Sequence, residues 1–138
     1  MLKIIGSQIT RNEGDERMEF ITEGKYVEED GSVLLSYAES ELSGIEGCTT
    51  SLRITGGKIK MERYGGLIGV DTAIEFEQGR RFKGYYETPF GSIEMEVLTN
   101  SIVNNIKHDN ASGYLDIDYN ISLKGVTESR SRLKIEII

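Results

Sequence analysis

The sequence predicts an all-β protein, and three observations carry that expectation. Of 138 residues, 43 are Ile, Val, Thr, Tyr or Phe and only 3 are Ala, a balance that favours pleated strands over helices. Glycine is abundant at 16 residues, whereas proline occurs once and tryptophan not at all, so turns are well supplied and ladders are little interrupted. Apolar side chains recur with period 2 along most of the chain, the spacing of a strand with one buried face.

Taken in order, strands are expected over roughly 2–10, 17–27, 32–40 and 49–55. Lys58–Tyr64 follows, with Ile59, Met61 and Arg63 on one face. Residues 68–77 and 81–88 read as the next two strands. In 92–99, Ile93, Met95, Val97 and Thr99 share a face, opposed by Glu94 and Glu96. Residues 101–109 read either as a helical turn, through Ile102, Val103 and Ile106, or as an extension of the preceding strand. The clearest alternation is Tyr114–Leu123, where Leu115, Ile117, Tyr119, Ile121 and Leu123 oppose Asp116, Asp118, Asn120 and Ser122. The apolar set must face inward, because the opposite register would bury two carboxylates. Leu133, Ile135 and Ile137 close the chain in the same pattern. Turn chemistry separates these runs as Asp30-Gly31, Gly56-Gly57, Gly65-Gly66 and Pro89-Phe90-Gly91.

About ten strands joined by short turns imply an antiparallel meander. A flat sheet would leave the apolar face wet, so the expected architecture is a single up-and-down barrel with little or no helix. A two-sheet sandwich is the alternative. No linker, charge block or repeat divides the chain, so residues 1–138 are expected to form one domain.

Charge narrows the partners. Sixteen basic against 23 acidic residues give −7, a sign opposed to nucleic-acid phosphate and anionic lipid. Neither nucleic acid nor membrane is therefore expected as a partner. No apolar run approaches the roughly 20 residues of a membrane span, and Met1-Leu2-Lys3-Ile4-Ile5-Gly6 is too short and soon too polar for a signal peptide. The densest basic cluster, Arg80-Arg81-Phe82-Lys83, lies beside Glu75 and Glu77 and reads as a solvated hairpin end. Cys48 is the sole cysteine, which excludes an internal disulfide and fits a reducing cytosol. Its one candidate base is His108, 60 residues away, and a single His with a single Cys does not make a zinc site. A cytoplasmic location and no cofactor are expected.

A meander also fixes which end of the fold each residue occupies. Carrying the faces along places Tyr37, Glu39, Thr50, Arg63, Tyr86 and Thr88 inward at one end. Val33, Leu35, Ile54, Ile59, Phe76 and Phe82 point inward at the other. One half of the interior is thus polar and the other oily. With Tyr119 added, the candidate ligand-binding residues are Tyr37, Glu39, Thr50, Arg63, Tyr86, Thr88 and Tyr119; no catalytic or metal-binding set is assigned.

Arg63 decides among the readings, because an inward arginine needs a partner. Glu39 is two strands away, roughly 10 Å at ~4.8 Å per strand, within reach of two long side chains. The two could form a closed structural pair. Alternatively, Arg63 anchors a ligand carboxylate or phosphate while the oily half takes an apolar tail. A third reading makes Glu39 a general acid or base, although nothing supplies a nucleophile, metal or second acid at recognisable spacing. Tyr26, Tyr37, Tyr86 and Tyr119 also read as core aromatics with capped hydroxyls.

Several phrases carry a resemblance. Thr22-Glu23-Gly24-Lys25-Tyr26, Tyr37-Ala38-Glu39-Ser40-Glu41-Leu42-Ser43-Gly44-Ile45-Glu46-Gly47 and Thr49-Thr50 occur in an order similar to that of the YwiB-like family. Arg63-Tyr64-Gly65, Tyr86-Glu87-Thr88-Pro89-Phe90-Gly91 and Gly113-Tyr114-Leu115-Asp116-Ile117-Asp118-Tyr119 extend the resemblance over nearly the whole chain. These are small bacterial proteins, mostly of Firmicutes. The resemblance implies a calycin-like barrel comparable to those of lipocalins and fatty-acid-binding proteins, in a bacterial cytoplasm; it implies no activity. That family commonly has an acidic residue where this chain has Ala38, and Thr where it has Cys48. Weight therefore moves to Glu39 and away from a catalytic Cys48.

The functional expectation is non-catalytic binding of a small amphipathic or acidic ligand inside the barrel. One alternative is a filled barrel whose loops 41–48, 64–67 and 89–91 contact a protein partner; the other is an enzyme centred on Glu39.

Overall fold

Alternation produces strands wherever the sequence carries it. The structure, a computed structural model, describes residues 1–10, 14–39, 47–65, 72–88, 91–107, 112–124 and 127–138. Its elements are β1 (Leu2–Thr10), β2 (Gly14–Thr22), β3 (Gly24–Glu29), β4 (Ser32–Ala38), β5 (Thr49–Thr55), β6 (Lys58–Tyr64), β7 (Thr72–Glu77), β8 (Arg81–Thr88), β9 (Gly91–Lys107), β10 (Ser112–Leu123) and β11 (Thr127–Ile137). Among the described residues no helix is long and apolar enough to cross a membrane.

The strands form two antiparallel sheets, not one closed barrel. One runs β2-β1-β11-β10-β9-β8 and the other β3-β4-β5-β6-β7. The expected barrel is corrected at two places. The stretch read as one strand over 17–27 is two strands, because β2 pairs with β1 whereas β3 pairs with β4. Glu23-Gly24 carries the chain from one sheet to the other. A Cβ on Gly24 would lie 2.2 Å from Leu2 Cδ1, so glycine permits Leu2 to pack over this junction. At the second place β7 and β8 lie in different sheets and meet through their turn. There the Gly79 N–H donates to the Thr99 carbonyl at 2.9 Å, and the Thr99 N–H donates to the Arg80 carbonyl at 3.3 Å. Facing sheets bury the same alternating faces that a barrel would, so period 2 alone does not choose between them.

Local signals hold well. Asp30 and Gly31 both have positive φ, 49° and 80°, as a two-residue hairpin loop with right-handed strand twist requires. Residues 101–107 continue β9 as strand and pair with β10 across a register shift at Asp118/Tyr119. The β10 ladder satisfies backbone groups that a lone helical turn would leave half unpaired. Residues 68–71, 89–90 and 108–109, included in other expectations, lie outside the described residues.

The core lies between the sheets. Leu35, Leu52, Ile59 and Phe76 from one meet Ile4, Val97, Leu115, Ile117 and Ile135 from the other, all shut from solvent. On β10, Tyr119, Ile121 and Leu123 pack against this core as the alternation requires. Asp116 is on the outer face yet is buried, because Arg132 lies over it. Arg132 Nε donates to Asp116 Oδ1 at 2.9 Å, with Nη2 on the second oxygen. Arg130 grips Asp118 likewise, Nε to Oδ1 at 3.1 Å and Nη2 to Oδ2 at 2.7 Å. These cross-strand forks line the outer face of the larger sheet.

Candidate functional site

Register alone brings three of the candidate residues into a row. Tyr37 on β4 pairs with Thr50 on β5, which pairs with Arg63 on β6. Their side chains stand side by side on the inner face. Glu39 follows just beyond β4, and its N–H donates to the Cys48 carbonyl at 2.9 Å, adding one rung to the β4–β5 ladder. That rung turns Glu39 inward, and its side chain is only 2% exposed.

Among the described residues one side chain bonds the carboxylate. Thr50 Oγ1 donates to Glu39 Oε1 at 2.6 Å. Arg63 Nε stands 3.9 Å from the same oxygen, a Coulombic contact beyond hydrogen-bonding distance. Thr50 occupies the strand between the charged partners, which explains the gap. Arg63 Nε and the Tyr37 hydroxyl are both buried without a hydrogen-bond partner among the described residues; Thr99 Oγ1 is the other such atom. An unmade bond at a buried polar group costs about 1–3 kcal/mol. Burial, reinforced by the Glu39 carboxylate and opposed by Arg63, pushes the Tyr37 phenol above its ordinary value, so it remains a protonated donor.

Beyond its buried Nε, Arg63 reaches solvent, with 30% of its side chain exposed. It does so at a groove of about 490 Å³ that opens between the sheets. The opposite wall comes from the larger sheet: Gly6 and Gln8 of β1, Met18 of β2, Tyr119 of β10, and Ser131 and Leu133 of β11. Tyr119 is fixed by Phe76, with ring centroids 4.8 Å apart and planes tilted by 55°. Its phenol is also raised by burial, against the opposing charge of Arg63.

Tyr37, Glu39, Thr50 and Arg63 therefore come together as expected, and Tyr119 joins them across the groove. Tyr86 packs against the core from β8 and makes no hydrogen bond to the cluster among the described residues. Thr88 ends β8 opposite Gly91; its side chain lies outside the described part. Among the described residues, the oily half is filled at its centre. Leu35 and Phe76 have no accessible surface, and Val33, Ile54 and Ile59 are buried around them. The open space beside Arg63 is thus the groove between the sheets and not the interior of a closed barrel. The groove wall from β1, β2 and β11 escaped the sequence reading. Its one sequence signal is Gly6, a gap in the side-chain pattern of β1, where a Cβ would lie 3.0 Å from Met18 Cε.

Cys48 is a half-buried free thiol, while His108 and most of loops 41–48, 64–67 and 89–91 lie outside the described residues.

No curated protein matches the sequence. In fold the chain is similar to the crystal structure of the ywiB protein from Bacillus subtilis, with a TM-score of 0.69 and 20% identity over 98% of this chain and 89% of that one. Residues 2–135 match the family described as a domain of unknown function, DUF1934. The match runs from the first residue of β1 into β11, and the chain belongs to this YwiB-like family.

Proposed function

We propose that the protein binds a small acidic or amphipathic ligand through Arg63, without catalysis. The observation that supports this most is the guanidinium itself. Its Nε is buried with no hydrogen-bond partner among the described residues, and the Glu39 carboxylate stands 3.9 Å away. An arginine with a purely structural role gains from a filled fork, as Arg130 and Arg132 do. With Nε turned to Glu39 and the side chain 30% exposed at the groove, the Nη end is the part that would meet a ligand carboxylate or phosphate. Met18, Leu133 and Tyr119 offer apolar surface to the rest of an amphipathic ligand. In this reading the two sheets act together as one calycin-like domain in a bacterial cytoplasm.

An enzyme centred on Glu39 is less well supported, since that side chain is 2% exposed and held by Thr50. A protein-interaction role has less to build on, because among the described residues the large exposed apolar side chains inside strands, Ile9, Ile21, Val27, Tyr64, Tyr85 and Val103, fall on six different strands, and Tyr64 alone belongs to the loops expected to contact a partner. The test is a thermal-shift screen of anionic compounds followed by calorimetric titration of those that bind. Hydrogen bonds to a charged group are worth about 1.5–3 kcal/mol, so Arg63→Met should weaken binding at least roughly tenfold. Unchanged affinity would remove Arg63 from the site.

A further inference from the structure

We infer, on the reading that Arg63 anchors a ligand, that Glu39 makes the groove selective for singly charged anions and against phosphate monoesters. Nε is buried on the Glu39 side, whereas the side chain as a whole is 30% exposed and lines the groove, so a ligand would meet the Nη end with its two parallel donors. That end matches a carboxylate, a sulfonate or a phosphate equally well in shape. Charge is what separates them. Arg63 already carries the field of one buried carboxylate, and the pair is close to neutral before any ligand arrives. Glu16 lines the same groove and adds a second negative charge.

The remaining cations of the groove are committed elsewhere. Arg132 is bonded to Asp116, and Arg17 lies 3.4 Å from Glu19. A monoanion on Arg63 leaves the immediate cluster with one net negative charge, whereas a phosphate monoester, near −2 at neutral pH, leaves two. Like charges held close together in a partly desolvated site repel strongly, and the cost rises with each added charge. Glu39 is thus a specificity-determining residue that need not touch the ligand.

Three probes share one aromatic body and separate charge from shape: benzoate, benzenesulfonate and phenyl phosphate, titrated at pH 8 and followed by amide chemical shifts. Benzoate and benzenesulfonate should bind at the Arg63 groove at least about tenfold more tightly than phenyl phosphate. Glu39→Gln keeps the Thr50 hydrogen bond and removes the charge, so it should raise phenyl phosphate affinity severalfold more than benzoate affinity. Glu16→Gln, on the exposed wall, should move the ratio in the same direction by less, and it serves if Glu39→Gln fails to fold. Phenyl phosphate binding as tightly as benzoate to the wild type would overturn the inference while leaving Arg63 as an anchor. So would an unchanged ratio in both variants. No shift at the groove with any probe would overturn the Arg63 reading itself, and the selectivity would fall with it.

Discussion

Two arginines of this protein sit beside a covered carboxylate and treat it differently. Arg132, on the outer face, lies over Asp116 with both fork nitrogens engaged. Arg63, on the inner face, turns one nitrogen toward Glu39 and stops 3.9 Å short. The outer pair joins adjacent strands, β10 and β11, where one lateral step suits a direct fork. The inner pair spans three strands, with Thr50 on the middle one taking the carboxylate oxygen first. Exposure is also reversed. Arg132 is 61% exposed and sheds its charge into water, whereas Arg63 is 30% exposed and has its Nε buried. A filled fork in an easy place and an unpartnered Nε in a costly one are what set Arg132 and Arg63 apart, and the proposed binding role rests on that difference.

The sharpest way to break this comparison is to remove each inner charge in turn. Arg63→Met leaves a buried Glu39 carboxylate without its counter-charge and should cost about 2–4 kcal/mol, below the full value for a sealed pair because solvent reaches Arg63. Glu39→Gln leaves an arginine that water can reach and should cost only about 1 kcal/mol. Denaturant midpoints measure both. Equal losses of several kcal/mol would mean a closed structural pair and would count against the open-fork interpretation.

Next in size is the hydroxyl between them. Thr50→Val keeps the shape but takes away the Thr50 hydrogen bond to Glu39, and should cost about 1.5–3 kcal/mol by urea unfolding. A loss under about 0.5 kcal/mol would show that Glu39 has found another donor.

The outer face gives a pH-dependent counterpart. Arg130 bonded to Asp118 holds that carboxyl below its ordinary value of 3.8. A depressed folded-state value stabilises the fold at pH above the unfolded-state value, and that stability is lost as pH falls through the folded one. Asp118→Asn should therefore lower stability at neutral pH, by at most about 1 kcal/mol for a pair that water partly reaches, and flatten the acid limb below about pH 4, where the two curves converge. An unchanged acid limb would show that the fork contributes nothing to stability.

The smallest effect belongs to the most exposed partners. Lys124→Ala, which frees Glu94 from a 3.2 Å contact at the surface, should move the thermal midpoint by an amount worth at most about 0.5 kcal/mol. A larger shift would mean that the outer ladder is coupled along its length.

Much of this molecule is legible in its residue order. Alternation placed Leu115, Ile117 and Tyr119 inward, and Asp30-Gly31 specified a hairpin loop whose backbone has the two positive φ angles it needs. The row Tyr37, Thr50, Arg63 follows from strand order and turn length, because neighbouring antiparallel strands with short loops have little freedom of register. The split at Glu23 was not legible, since 17–27 alternates smoothly through it and only the packing of Leu2 against Gly24 marks the break. Nor was the groove: Gly6, Met18 and Ser131 meet Arg63 from strands far away in sequence. A period-2 pattern states which face of each strand leaves water, and local turn chemistry states which neighbour it pairs with. It does not state what covers that face. Two sheets rather than a barrel, a fork left 3.9 Å open and a groove beside it are decided by contacts between distant segments, where burial of the whole interior outweighs any local preference.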